Sequence, residues 1–230
     1  MDWAVSVAVI VLAALINATL QLGIGCLLLL YHASSQKHIR AKTRSLAGSY
    51  VAGVGIMVFL SICAIALILL RFYGGALEKI WLLVLVILLA TLAFAVWLFY
   101  YRWGKGVELW IPKVVAKFID ARARATESNT EAFALGIMTC FAELPFLLIL
   151  LVVAGNSILE LNAEWQLLAV VLFTLLSMLP LILVRMLVRR GKTIAGIQHW
   201  RSQHKNFLKI LSGTGFLVLG LFILVFYLLD

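Results

Sequence analysis

Residues 132–154 read AFALGIMTCFAELPFLLILLVVA. As a helix this stretch is long enough to cross about 30 Å of hydrocarbon. Its one carboxylate, Glu143, is the twelfth residue and therefore falls near the middle. An acid at that depth is unfavourable by roughly 2.5–3.5 kcal/mol on insertion-derived scales, so it marks a functional position by default. Two residues on, Pro145 lacks a backbone donor and is expected to break the helix locally.

Five further apolar segments accompany it: Trp3–Tyr31, Leu46–Leu70, Gly75–Tyr101, Trp165–Val188 and Phe207–Leu229. Only 13% of the 230 residues are charged and 64% are hydrophobic, where a soluble domain would carry about 25% charged. The pattern predicts an all-helical, polytopic membrane protein with six transmembrane helices. No ten-residue alternation of the β-barrel kind occurs. Met1-Asp2-Trp3 lacks a basic leader, so the first segment reads as a retained span.

The net charge of +9 is distributed by loop. Seventeen of the 19 basic residues fall between spans one and two, between three and four, or from the end of span five to the start of span six. Arg71 and Lys79 alone lie on the other side, with Glu160, Glu164, Asp2 and Asp230. The positive-inside rule then predicts both termini outside, in a cell (inner or plasma) membrane. The basic excess is accounted for by topology and attraction to anionic lipid, and no nucleic-acid partner is implied.

Six spans entering from outside divide into two three-helix halves of opposite orientation, 1–101 and 132–230, joined by a basic connector over 102–131. Three is odd, so the arrangement meets the requirement for an inverted repeat. Leu22-Gly23-Ile24 resembles Leu135-Gly136-Ile137, each followed by a cysteine. Within the connector, Val107–Ile119 reads as an interfacial amphipathic helix. Ser128 and Glu131 form a capping-box pattern that starts the fourth span near Thr130. Gly48, Ala52 and Gly55, with Ser49 and Gly53, are spaced for close helix contact in span two, as are Ser212, Gly213, Gly215 and Gly220 in span six.

Three spans carry central polarity. Gly136, Thr139, Cys140 and Glu143 share one face of span four by their i, i+3, i+4, i+7 spacing. In span one, Asn17 and Gln21 lie on one line with Gly25, and Thr19, Gly23 and Cys26 on the other side. Span five contributes Thr174, Ser177 and Pro180, the last a second expected helix break. The expectation is a midplane cavity where Glu143 couples proton or ion movement, with Thr139, Asn17, Gln21, Thr174 and Ser177 as uncharged ligands. The function so implied is alternating-access transport of a small solute or ion. A hydrogen-bonded seam in a membrane assembly or scaffold protein is the non-transporting alternative.

Single cysteines in spans one and four resemble the CcdA/DsbD family of transmembrane thiol–disulfide electron carriers. The resemblance implies Cys26 and Cys140 as a redox pair, with a thioredoxin-like protein as partner. That family flanks its cysteines with prolines, whereas Cys26 sits in Gly25-Cys26-Leu27 and Cys140 lies five residues before Pro145. The six-span layout with a long basic connector also resembles the LysE-like transporter superfamily, exporters of amino acids and small ions. His32, His38, His199 and His204 fall in basic loops without partners at metal-ligand spacing, so no metal or cofactor is expected. No phosphate loop, HExxH or Gly-x-Ser-x-Gly motif occurs.

Overall fold

The computed structural model describes residues 3–20, 22–37, 40–75, 77–100, 113–190 and 194–229. Among them every regular element is helical: α1 (Trp3–Ala18), α2 (Leu22–Lys37), α3 (Arg40–Tyr73), α4 (Lys79–Ala95), α5 (Lys113–Ala125), α6 (Asn129–Leu159), α7 (Ala163–Arg189), α8 (Ile194–Gln203) and α9 (Lys205–Ile223). Helices α4 and α9 run on through π-helical turns, Val96–Tyr100 and Leu224–Leu229. Five helices (α3, α4, α6, α7 and α9) are long and apolar enough to cross a membrane, and α1 with α2 makes a sixth span if the pair is taken together.

The surface is inverted relative to a water-soluble protein. Leu60, Leu67, Phe72, Ile87, Phe94, Phe141, Leu167, Leu175 and Leu221 are all exposed, while Ser6, Thr139, Asn156, Ser157, Ser177 and Ser212 are buried. Apolar side chains outside and hydroxyls inside suit a bilayer, where the lipid gains nothing from polar contact. At one end, Trp3 stacks edge-on against Trp165 at 6.2 Å and Tyr73 against Trp81 at 5.7 Å, the amphipathic aromatics expected at an interface.

Two expectations about helix breaks are corrected. Helix α6 runs without interruption through Pro145, and α7 through Pro180. Pro145 sits on the exposed face of a long helix, so a single missing hydrogen bond does not end it. A break falls instead within the segment Trp3–Tyr31, which the sequence presents as continuous. There α1 ends in a tight turn, with the Thr19 amide donating to the Ile16 carbonyl and the Leu20 amide to the Asn17 carbonyl. The Thr19 hydroxyl donates to the same Ile16 carbonyl at 2.6 Å. A side chain that competes for the backbone acceptor favours termination. Helix α2 then leaves at 41°.

The capping box at the start of α6 is present in both halves. The Glu131 amide donates to the Ser128 hydroxyl at 3.2 Å, and the Ser128 amide to the Glu131 carboxylate at 3.2 Å. Of the expected connector helix Val107–Ile119, residues 107–112 lie outside the described residues; the rest belongs to α5, which continues to Ala125. It buries Ile119 and Ala123 and leaves Phe118 exposed, with Arg122 over its ring and Asp120 paired to Arg124.

The most extensive helix contact is between α3 and α6, which run parallel: Ser45 meets Asn129, Val54 meets Cys140 and Ile65 meets Gly155. Helix α1 packs antiparallel on α6 and parallel to α7, as Ser6 against Glu160 and Trp3 against Trp165 show. Helices α3 and α7 are antiparallel, with Gly48 against Arg185 and Gly55 against Met178. Helices α4 and α9 are antiparallel too, Trp97 lying on Gly213 and Leu89 near Gly220.

Candidate functional site

The middle of α6 faces a cavity of about 30 Å³ lined by Asn17, Thr139, Cys140, Glu143, Ser177 and Pro180, with Leu20, Ile24, Val54, Val58, Leu147 and Leu181 as its apolar wall. That volume has room for one or two water molecules. Of the residues expected to form the site, the structure therefore brings Asn17, Thr139, Glu143 and Ser177 together. Thr174 is buried beside them but not on the wall, its hydroxyl donating to the Val170 carbonyl at 2.9 Å. Gln21 lies outside the described residues.

The break between α1 and α2 decides how the segment Trp3–Tyr31 contributes. On an unbroken helix Asn17 and Gly23 would point to opposite sides. After the turn at Thr19–Leu20, both line the cavity, and Thr19 turns away to accept from Ser212 of α9 at 2.9 Å. A discontinuous helix at mid-depth leaves backbone N–H groups without intrahelical partners beside the cavity.

Each hydroxyl has a distinct state. Thr139 donates to the Leu135 carbonyl at 2.8 Å and accepts from Tyr50 at 3.2 Å. The Tyr50 hydroxyl also lies 3.0 Å from the Gly23 carbonyl. Ser177 Oγ, by contrast, is buried with no hydrogen-bond partner among the described residues. Leaving a hydroxyl so placed costs about 1–3 kcal/mol unless something in the cavity binds it.

Glu143 is half-buried and stands on the cavity wall beside Cys140 and Thr139. Among the described residues no lysine or arginine lines the cavity. The arrangement offers oxygen ligands and one carboxylate, suited to a proton, a water molecule or a small cation. The described residues hold no group of three metal-ligating side chains.

The two cysteines come close to the same place but differ in setting. Cys26, on α2, lies within hydrogen-bonding reach of Thr139 and Tyr50. Cys140 lines the cavity and its thiol faces the Val54 carbonyl at 3.7 Å. Both are free thiols. Gly136, which shares the polar face of α6, serves packing: a Cβ there would meet the Tyr50 carbonyl and the Val54 amide at 2.9 Å.

Two features escape a reading of spans alone. Tyr50 joins α2, α3 and α6, yet it stands in an ordinary apolar run. Glu160 anchors a cluster at the end opposite the basic loops. It accepts from Ser6 at 3.3 Å and Asn156 at 3.0 Å and bonds Tyr227, while Asn156 accepts the Leu77 amide at 2.7 Å. Burial pushes the Glu160 carboxyl above the usual glutamate range, and the bonds from Tyr227, Ser6 and Asn156 oppose that shift. The i, i+4 spacing of Asn156 and Glu160 is the signal that could have found it.

The chain matches no protein-family model, no curated protein and no solved structure.

Proposed function

We propose that the chain is a cell-membrane transporter that moves a small solute or ion by alternating access, with Glu143 as the coupling acid. The observation that carries this reading is the cavity at mid-depth, where a broken first span meets Glu143 and an unpartnered Ser177 hydroxyl. Its volume favours an ion or solute of about one water's size over an amino acid. A dry, closed seam around Glu143 would favour an assembly role instead.

In this reading the protein consists of two inverted three-helix halves, with both termini outside. The helix pairings support it. Exchanging the first, second and third spans with the fourth, fifth and sixth turns the parallel pair α1–α7 into the parallel pair α6–α3. The three pairs that exchange with themselves, α1–α6, α3–α7 and α4–α9, are all in contact, as helices beside a two-fold axis in the membrane plane would be. Rocking one half against the other would open the cavity to each side in turn.

A second reading, electron transfer between Cys26 and Cys140 with a thioredoxin-like partner, has one observation in its favour. Cys26 reaches Thr139, the residue before Cys140. Proteoliposome flux measurements separate the two. The transport reading expects uptake of one member of a panel of monovalent cations, protons and small amino acids. It expects Glu143→Gln to lose coupled flux while retaining the fold. Equal flux in wild type and Glu143→Gln would sink the assignment of the coupling acid.

A further inference from the structure

We propose that the basic end of the bundle carries a site for a phosphate-bearing anion, formed by Arg185 and Arg189 of α7, Arg44 of α3 and the hydroxyl of Tyr31 on α2. Tyr31 is 2% exposed, and its hydroxyl has no hydrogen-bond partner among the described residues. The charges that act on that hydroxyl are Arg185, Arg189 and Arg44, in that order. A guanidinium has donors only, so these neighbours cannot accept the phenolic proton. An acceptor must come from elsewhere.

Arg185 is placed to receive an anion. It is half-buried and lies in the seam between α7 and α3, its Nη2 only 2.8 Å from where a Cβ on Gly48 would stand. The glycine makes room for the guanidinium, which lies against α3. A partly buried guanidinium without a counter-charge is unfavourable.

Two carboxylates at this end have partners of their own. Asp120 pairs with Arg124, and Glu131 accepts the backbone amides of Glu127 and Ser128. Among the described residues no carboxylate forms an ion pair with Arg44, Arg185 or Arg189. A phosphate would satisfy all the observations together: two oxygens take the arginine fork, and a third accepts the Tyr31 proton. Basic pockets between membrane helices at headgroup level bind lipid phosphates in this way, and a free phosphate offers the same chemistry.

The test uses the full chain purified in a neutral detergent, with thermal unfolding read against added phosphatidylglycerol, phosphatidylcholine or inorganic phosphate. Phosphatidylglycerol is expected to raise the unfolding temperature, and phosphatidylcholine to do so less. Arg185→Gln should raise the lipid concentration for the half-maximal shift about tenfold, the loss of one charge-assisted bond. Tyr31→Phe should raise it less, and Arg122→Gln, on the outer face of α5, should leave it unchanged. A shift with inorganic phosphate alone would assign the site to a soluble anion, and a shift with lipid alone to a headgroup. Equal shifts for both lipids, no shift with any probe, or the same response in all three variants would overturn the site. If Arg185→Gln does not fold, Tyr31→Phe against Arg122→Gln decides alone.

Discussion

Gly53 of α3 and Gly136 of α6 meet backbone to backbone. A Cβ on Gly53 would strike the Phe133 carbonyl, and one on Gly136 the Tyr50 carbonyl, with the Gly53 carbonyl carbon at 3.2 Å. Small residues at such a crossing let two membrane helices gain close van der Waals contact where no hydrophobic drive exists. The same crossing sets Tyr50 against Thr139 and so holds one wall of the cavity.

Gly136→Ala should therefore destabilise by about 1–3 kcal/mol or more, because the obstacle is main chain and cannot swing aside. Gly23→Ala, the matching glycine of the Leu-Gly-Ile triplet in α2, meets nothing closer than 3.7 Å and should be near neutral. Thermal unfolding of the two variants in detergent compares them directly. Equal losses would show that the α3–α6 crossing is not the tight one.

Glu160 should make stability depend on pH. Its folded carboxyl titrates above the unfolded value, so the folded state binds the proton more tightly. The contribution is then fully present below the unfolded glutamate pKa and is lost as pH rises through the raised folded value. Glu160→Gln keeps an acceptor for Asn156 and removes the charge, so it should flatten the acid side of the profile and stabilise above that window. Unfolding temperatures measured across this range, wild type against variant, give the answer; parallel curves would contradict it.

Ser128→Ala removes one half of the capping box and should cost about 0.5–2 kcal/mol, localised to the start of α6. Amide exchange across residues 129–134 should rise before global unfolding. An unchanged exchange pattern would mean the tertiary contacts of Ala132 and Leu135 hold that end without the cap.

Cys26 and Cys140 should not form a disulfide under mild oxidant. Cys26 lies beside Thr139 and Tyr50, the Cys140 thiol faces the Val54 carbonyl, and both are buried. Alkylating free thiols after oxidation and counting the label by mass reads this. A trapped Cys26–Cys140 bond would move the functional reading to electron transfer.

What was legible in the sequence was local or periodic. The Ser128–Glu131 cap is a four-residue pattern, and the face shared by Thr139, Cys140 and Glu143 follows from helical spacing alone. Their convergence with Asn17 and Ser177 depends on how the spans pack, which spacing along a single helix does not determine. Tyr50 and Glu160 were missed because their roles exist only across helices distant in sequence. The prolines misled in the other direction. Pro145 and Pro180 are strong local breakers, yet long helices flanked by apolar contacts carry through them. The actual break, at Thr19–Leu20, has no proline or glycine, only a threonine that takes its own backbone acceptor.

That joint has a consequence for how the protein answers to mutation. Asn17, Ala18, Leu20, Gly23 and Ile24 all border the cavity, and of these only Asn17 brings a polar side chain. At the other described residues of this segment, what borders the cavity besides apolar side chains is peptide amides and carbonyls near two helix ends. Side-chain scanning should find Glu143, Ser177 and Asn17 sensitive and Ala18, Leu20 and Ile24 tolerant, although all of them face the same space. Those main-chain groups answer only to changes that alter the backbone itself, such as a proline or an ester in place of an amide.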